Sequence, residues 1–273
     1  MISSIKYQLI NKIEKIPFLQ IFIYNNLYYL KMLLPHDKDY HALKILFKKN
    51  EKRLFVDVGG NIGLSTAGWR LIGFQSNKIL VFEPDIFLVK KYLKKIKLKF
   101  KNIKIYNFGL SNTEKKRNFY RAFYKNKFFH FNNSFDLDYI KKKLRNNYPN
   151  LYKKFKITKS SLKLKKFDNL KIKSRICFIK IDVEGYDHLV IEGMKNTIKR
   201  DFPIILSEYN KENFFKIYKL LKKKYFCYSY LYDENIFKRF NDNEIKNLIN
   251  GRYKLEKYSK NSINIFFMPK NKI

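Results

Sequence analysis

The sequence is poor in acids. Against 59 Lys and Arg it carries 23 Asp and Glu, a formal net charge of +36. It is also short of Gly (9), Pro (6) and Cys (2), and it holds a single Trp. So little Gly and Pro excludes a collagen-like chain, and no internal period points to a solenoid. Two cysteines in 273 residues do not make a disulfide scaffold. Cys177 in an apolar run and Cys227 in a Tyr-rich one read as thiols of a reduced, cytoplasmic protein. Disorder is excluded by what is abundant: 45% hydrophobic and 18% aromatic residues supply a core for one large domain.

Only 9 of the 59 basic residues are Arg. The Lys excess is dispersed, and it accompanies abundant Asn, Ile, Phe and Tyr, so A/T-rich coding is a sufficient cause for much of it. The functional alternative is attraction to an anionic glycan, a lipid surface or nucleic acid. Scarcity of Arg, the bidentate reader of phosphates and bases, counts against nucleic acid.

Long apolar runs are missing as well. The stretch from Ile16 to Leu34 is broken by Pro17, Gln20, Asn25, Asn26 and Lys31, and no small-residue cleavage site follows it. It therefore reads as neither a membrane span nor a signal peptide. Residues 1–50 are expected to form a helical extension packed on the domain, with peripheral contact at the inner face of a membrane as the alternative. Within this extension, His36 and His41 with Asp37 and Asp39 read as a solvated turn.

From residue 51 to 273 short β-type runs alternate with helical patterns, the signature of a mostly parallel α/β sheet. Strands are predicted at Leu54–Val58, Lys78–Phe82, Ile103–Phe108, Ile176–Ile181 and Pro203–Ser207. Helices are predicted at about Ile62–Ile72, Ile86–Lys99, Tyr186–Lys199 and Glu212–Lys223. Phe226–Tyr230 and Ser262–Met268 read as a late antiparallel pair at the sheet edge. The alternation breaks over about 112–175, an insertion holding a helix-like Asp136–Arg145 and an alternating Phe155–Leu164. So long an interruption is either structured or functional, and it is expected to supply the acceptor side of a site.

The few acids fall in telling places. Glu83, Asp182 and Glu208 stand at or just beyond the ends of successive parallel strands, with Asp57 inside the first. Ligands of open α/β sheets bind outside those carboxyl ends. The first turn reads Asp57-Val58-Gly59-Gly60-Asn61-Ile62-Gly63. A dinucleotide fingerprint would need Gly at 58, where Val stands. The fitting frame is Gly-x-Asn-x-Gly, a strand-to-helix turn for a nucleotide-like ligand. Glu83 follows Gly63 by 20 residues, the distance at which an acid reaches ribose hydroxyls.

These motifs resemble the FkbM-type methyltransferases. That family carries an Asp-Val-Gly-x-Asn-x-Gly loop, a Phe-Glu-Pro strand end and a later Lys-x-Asp-Val-Glu-Gly segment. Here they stand as Asp57 to Gly63, Phe82-Glu83-Pro84 and Lys180-Ile181-Asp182-Val183-Glu184-Gly185. Leu110-Ser111-Asn112, Phe167-Asp168 and Arg200 to Glu208 fit as well. The family often has Ala where Gly60 stands and commonly Glu where Asp187 stands. The resemblance covers about Leu54 to Tyr209. It implies a class I, Rossmann-like fold, usually with a seven-stranded sheet and helices on both faces. It also implies S-adenosyl-L-methionine as cofactor, and O-methylation of a sugar hydroxyl in a surface glycan, glycolipid or natural-product precursor. Cofactor residues carry over as Asp57, Gly59, Gly60, Asn61, Gly63 and Glu83.

Transfer to a hydroxyl needs positioning, a dry pocket and a proton acceptor. Asp182 is the first candidate for base or hydroxyl orienter and Glu184 the second. Either can instead cap the helix beginning near Tyr186. Asp182, Glu184 and Glu208 could alternatively hold a divalent metal. His130 and His188 are further candidate bases, and no His/Cys spacing suits zinc. Two rival readings remain: a non-catalytic Rossmann-like module binding a nucleotide or polyanion, and a nucleic-acid methyltransferase. The second lacks an Asn-Pro-Pro-Tyr-type motif.

Overall fold

The computed structural model describes residues 35, 37–48, 52–125, 127–252 and 264–271. Residues 1–34, which make up most of the expected N-terminal extension, lie outside the described residues. The chain divides into two compact units, residues 34–115 with 163–273 and residues 1–33 with 116–162.

The larger unit is built on an eight-stranded sheet ordered β11-β10-β12-β9-β8-β1-β2-β3. Its strands are β1 (Leu54–Val58), β2 (Lys78–Phe82), β3 (Ile103–Tyr106), β8 (Ile176–Ile181), β9 (Ile204–Glu208), β10 (Tyr225–Leu231), β11 (Ile236–Arg239) and β12 (Asn264–Pro269). The short β4 (Gly109–Leu110) pairs with the end of β7 (Phe155–Lys165). β1 runs parallel to both β2 and β8, and β8 parallel to β9. Strand order therefore reverses at β1, where the connections leave toward β2 on one side and return to β8 on the other.

β1, β2 and β8 read as nearly unbroken apolar runs because both faces of a parallel sheet are covered. One cluster joins Val56, Leu80, Ile179, Ile205 and Phe267 to Val190 and Ile217 of the covering helices. Those helices are α1 (Leu64–Leu71), α2 (86–99), α4 (Asp187–Gly193), α5 (Lys195–Asp201), α6 (Lys211–Leu221) and α7 (Asp242–Asn250). α2 opens a π-helical turn over Val89–Leu93 while keeping Val89, Leu93 and Ile96 buried.

Two expectations change at the late end of the sheet. It has eight strands, because Asn235 in left-handed conformation closes a hairpin that returns as β11 against β10. β12 does not lie at the edge: it sits antiparallel between β9 and β10, and β11 takes the edge. The residues near 37–41 are no solvated turn either. Asp39 is 1% exposed and Tyr40 2%. The Asn264 amide donates to Asp37 Oδ2 at 2.7 Å and Asp39 Oδ2 at 2.9 Å, tying this segment to β12.

The smaller unit holds β5 (Lys115–Tyr124), β6 (Lys127–Ser134), α3 (Leu137–Asn147) and the start of β7. Asp136 caps α3 by accepting from the Asp138 and Tyr139 amides. Ile140 and Leu144 pack with Ala122, Tyr124 and Tyr148 into a core of the unit's own.

Candidate functional site

The carboxyl ends of β1, β2, β8 and β9 meet where the strand order reverses. After Val58 the chain turns through Gly59 (φ 82°), Asn61 (φ 47°) and Gly63 (φ 85°), three left-handed residues within five positions. Gly at 59 and 63 carries no steric penalty there, and Asn is the side chain that tolerates this region best. The Gly59 and Gly60 amides both donate to the Phe82 carbonyl, at 3.0 and 3.1 Å, which binds the loop to the end of β2. A Cβ on Gly59 would run into the Asp182 carbonyl oxygen. The loop thus lies directly on the backbone of the Asp182 segment.

Glu83 closes the loop from the β2 side. Its Oε2 accepts from the Asn61 amide and its Oε1 from the Asp85 amide, each at 2.8 Å. The residue is 5% exposed, and burial pushes its carboxyl up to about 7 against the opposing pull of those two amides. Each oxygen keeps a second lone pair for a ligand hydroxyl. Asp57 is fully buried; its Oδ2 accepts from Thr66 Oγ1 at 2.7 Å. Its Oδ1 and the Asn61 Oδ1 are buried acceptors without a partner. Orphaned acceptors of this kind are costly unless a ligand donates to them. Asp57, Gly59, Gly60, Asn61, Gly63 and Glu83 are thereby all brought to one loop and its rim.

Beside them runs a buried charge network. Asp57 on β1 is the register partner of Lys180 on β8, and Lys180 Nζ bonds Asp182 Oδ2 at 3.0 Å. Burial alone would lower the Lys180 pKa, but Asp182, Tyr40 and Asp57 together outweigh it and hold the ammonium above its usual range. Tyr40 reaches this network from the segment before β1 and bonds Ser65, and burial raises its phenol. Asp182 itself is partly exposed, and Glu184 stands two residues on in left-handed conformation (φ 54°).

Two more carboxyls join from behind. Burial first, then the carboxylates of Asp182, Glu184 and Asp187, push Glu208 at the end of β9 up to about 8. Asp187 is 2% exposed and is pushed to about 7, by burial and then by Asp182. Its Oδ2 accepts from Asn213 Nδ2 at 2.6 Å, while Oδ1 has no partner.

Sequence reasoning missed Lys180, Asp187, Thr66 and Tyr40 as parts of this site. The Lys-x-Asp spacing held a usable signal, since residues two apart on a strand share a face. Nothing local announced Tyr40. Among the other expected residues, His188 has its Nδ1 3.0 Å from Asn213 Oδ1, and His130 lies outside the described side chains. Asp168 accepts from the Asn196 and Thr197 amides and from Thr197 Oγ1, so it caps α5. Among the described residues no three His, Cys, Asp or Glu side chains converge closely enough to hold a metal ion, Asp182, Glu184 and Glu208 included.

No protein of curated function matches this chain. Several solved structures resemble it at low identity. The FkbM methyltransferase of Methylobacillus flagellatus KT is 17% identical with a TM-score of 0.44; the match covers 66% of this chain but only 40% of that protein. A SAM-dependent O-methyltransferase of Thermotoga maritima is 10% identical over 86% of this chain and 65% of that one, with a TM-score of 0.41. A precorrin-6y C5,15-methyltransferase of Geobacter metallireducens GS-15 is 8% identical over 85% and 86%, with a TM-score of 0.39. The model of the methyltransferase FkbM domain matches residues 57–230, from the aspartate inside β1 into β10, and the chain belongs to that family.

Proposed function

We propose that this protein is an S-adenosylmethionine-dependent O-methyltransferase acting on a sugar hydroxyl of a glycan, glycolipid or natural-product precursor. The observation that carries the reading is the Glu83 carboxylate, buried at the end of β2 and held by the Asn61 and Asp85 amides beside the glycine loop. The orphaned Asp57 and Asn61 oxygens support a donor-rich ligand in the same place. Glu83 would take the ribose hydroxyls, and the loop from Gly59 to Gly63 would line the cofactor. When bound, S-adenosylmethionine supplies a methyl group activated on a sulfonium.

The chain's own residues then have separable tasks. Asp182, fixed by Lys180, orients the acceptor hydroxyl. Glu208, pushed up to about 8, accepts its proton once ionised, so turnover should rise as pH climbs toward 8. Glu184 is the second candidate for that role. An acceptor bearing hydroxyls suits a rim of carboxylates, and the surplus of Lys elsewhere would attract it from a distance where it also carries anionic groups away from the reacting hydroxyl. The function is tested by incubating the protein with labelled cofactor and surface-glycan extracts and locating the added methyl by mass spectrometry. Tight cofactor binding without transfer to any hydroxyl would favour the non-catalytic module.

A further inference from the structure

The opposite edge of the sheet, where β1, β2 and β3 begin, opens into a groove of about 1410 Å³. Lys52, Arg53, Lys78, Lys104 and Arg175 line it, and among the described residues no carboxylate does. The apolar part of its wall includes Phe47, Met268 and, 47% exposed, Ile45. A chain with so many lysines carries some on every face, but three features set this groove apart.

First, the cations converge on a concavity. Like charges around a low-dielectric hollow focus their field into it and raise the local concentration of anions. Second, they are not needed to satisfy the backbone. Carbonyls at this edge are already served by the buried Arg70, which donates to those of Phe74, Gln75, Asn77, Lys101 and Asn102. Among the described residues no carboxylate pairs with Lys52, Lys78 or Arg175. Third, part of the wall is braced. The Arg53 guanidinium lies 5.3 Å from the centre of the Phe47 ring and donates to Cys177 Sγ at 3.7 Å, and Lys104 Nζ sits 4.9 Å from the Tyr106 ring centre.

We infer that this groove binds the phosphate headgroup of an anionic amphiphile, with the start of its aliphatic chain against Ile45 and the half-buried Leu46. Cations beside apolar wall match a ligand that is charged at one end and greasy at the other. Single-stranded nucleic acid fits less well, since stacking needs exposed aromatic rings and Phe47, the one aromatic among the described wall residues, is buried. The site stands apart from the methyl-transfer edge and does not depend on that reading.

The test is calorimetric titration of the full chain with dihexanoyl phosphatidic acid, below its micelle concentration and at physiological salt. Parallel titrations use dihexanoyl phosphatidylcholine, inorganic pyrophosphate and single-stranded oligo-uridylate. The joint variant Lys52→Glu, Lys78→Glu, Lys104→Glu is expected to weaken phosphatidic acid binding by ~10-fold or more, the scale of one lost charge-assisted hydrogen bond. The control Lys90→Glu, Lys94→Glu, Lys97→Glu makes the same charge change on α2 and should move the affinity far less. If the first variant unfolds, the milder Lys→Gln set at the same three positions reads out the same loss with less repulsion. Equal losses from both sets would leave only a diffuse field and overturn the site. So would tighter binding of the oligonucleotide, pyrophosphate binding as well as the amphiphile, or no preference for phosphatidic acid over phosphatidylcholine.

Discussion

The two edges of one sheet are chemically opposite. Where the parallel strands end, the chain gathers Asp57, Glu83, Asp182, Asp187 and Glu208, most of them buried and several holding protons well above the usual carboxylate range. Where they begin, Lys52, Lys78, Lys104 and Arg175 stand exposed around a groove with no acid among its described lining residues. In a chain of net +36 the exposed lysines cost little to place, because solvent keeps them charged. The acids are few, and burying them is expensive unless something is gained. Position therefore says more about function for the acids than for the lysines. The lysines become informative only through shape, where several surround one hollow.

The largest effect expected at the acidic edge is on turnover. Asp182→Asn and Glu208→Gln should each lower kcat by a factor of about 10²–10⁴, the usual cost of losing proton transfer or its orientation, with cofactor affinity nearly unchanged. Near-normal kcat in both variants would move the proton acceptor to Glu184. Charge-reversed lysines of the basic groove, assayed alongside, should leave kcat at saturating acceptor as it was; a matching collapse would erase the distinction between the edges.

Next in size is the loop. Gly59→Ala places a Cβ against the Asp182 carbonyl and forces a left-handed φ on Ala, a combined cost of roughly 3 kcal/mol or more. Thermal unfolding should shift down by many degrees. An unchanged midpoint would mean that the loop does not bear on β8 as described.

Glu83→Gln comes third. It should weaken S-adenosylmethionine about tenfold, since a ribose hydroxyl loses a charged acceptor, and calorimetry measures this directly. In the wild type, affinity should rise with pH as Glu83 ionises near 7, and the variant should lose that rise. The same proton affects the ligand-free fold. Glu83, Asp187 and Glu208 bind protons more tightly folded than unfolded, so their contribution to stability is complete below about pH 4. It is lost as pH climbs through 7 and 8, the range of their folded values. Unfolding midpoints from pH 5 to 9 should fall for the wild type and flatten when all three are made amides.

The smallest effect separates scaffold from site. Asp168→Ala removes the cap of α5 and should cost about 1 kcal/mol of stability. Cofactor affinity and kcat should not change. A loss of activity out of proportion to the lost stability would give this family-motif residue a role beyond capping.

Much of this edge was legible before any coordinates. The strand runs at Leu54–Val58, Lys78–Phe82 and Ile176–Ile181 match the observed ones end to end, because strands covered on both faces read as nearly unbroken apolar runs. The loop was legible because left-handed backbone demands Gly or Asn wherever it occurs, and Glu83 because its distance from the loop is set by one helix and one strand. Local residue patterns also carried α3, expected over Asp136–Arg145 and observed over Leu137–Asn147. The β11 hairpin was not visible, since Ile236–Arg239 is half polar and pairs on one side only. Nor was the place of β12, which depends on which strands it separates and not on its own residues.

By itself, then, the sequence determined the elements whose signals are local: buried strands, glycine turns, helices with one apolar face and the acids at strand ends. Only the tertiary structure decided which of those acids share a solvent-poor space. Asp57 and Lys180 lie far apart in the chain and become register partners across two strands. Tyr40 arrives from before the first strand, and Asp187 turns inward onto Asn213. The groove at the other edge is likewise absent from any local pattern, because Lys52, Lys78, Lys104 and Arg175 come from the starts of four separate strands. The physical reason is the same in each case. Backbone conformation follows from neighbours in sequence, whereas burial, proton affinity and field depend on neighbours in space.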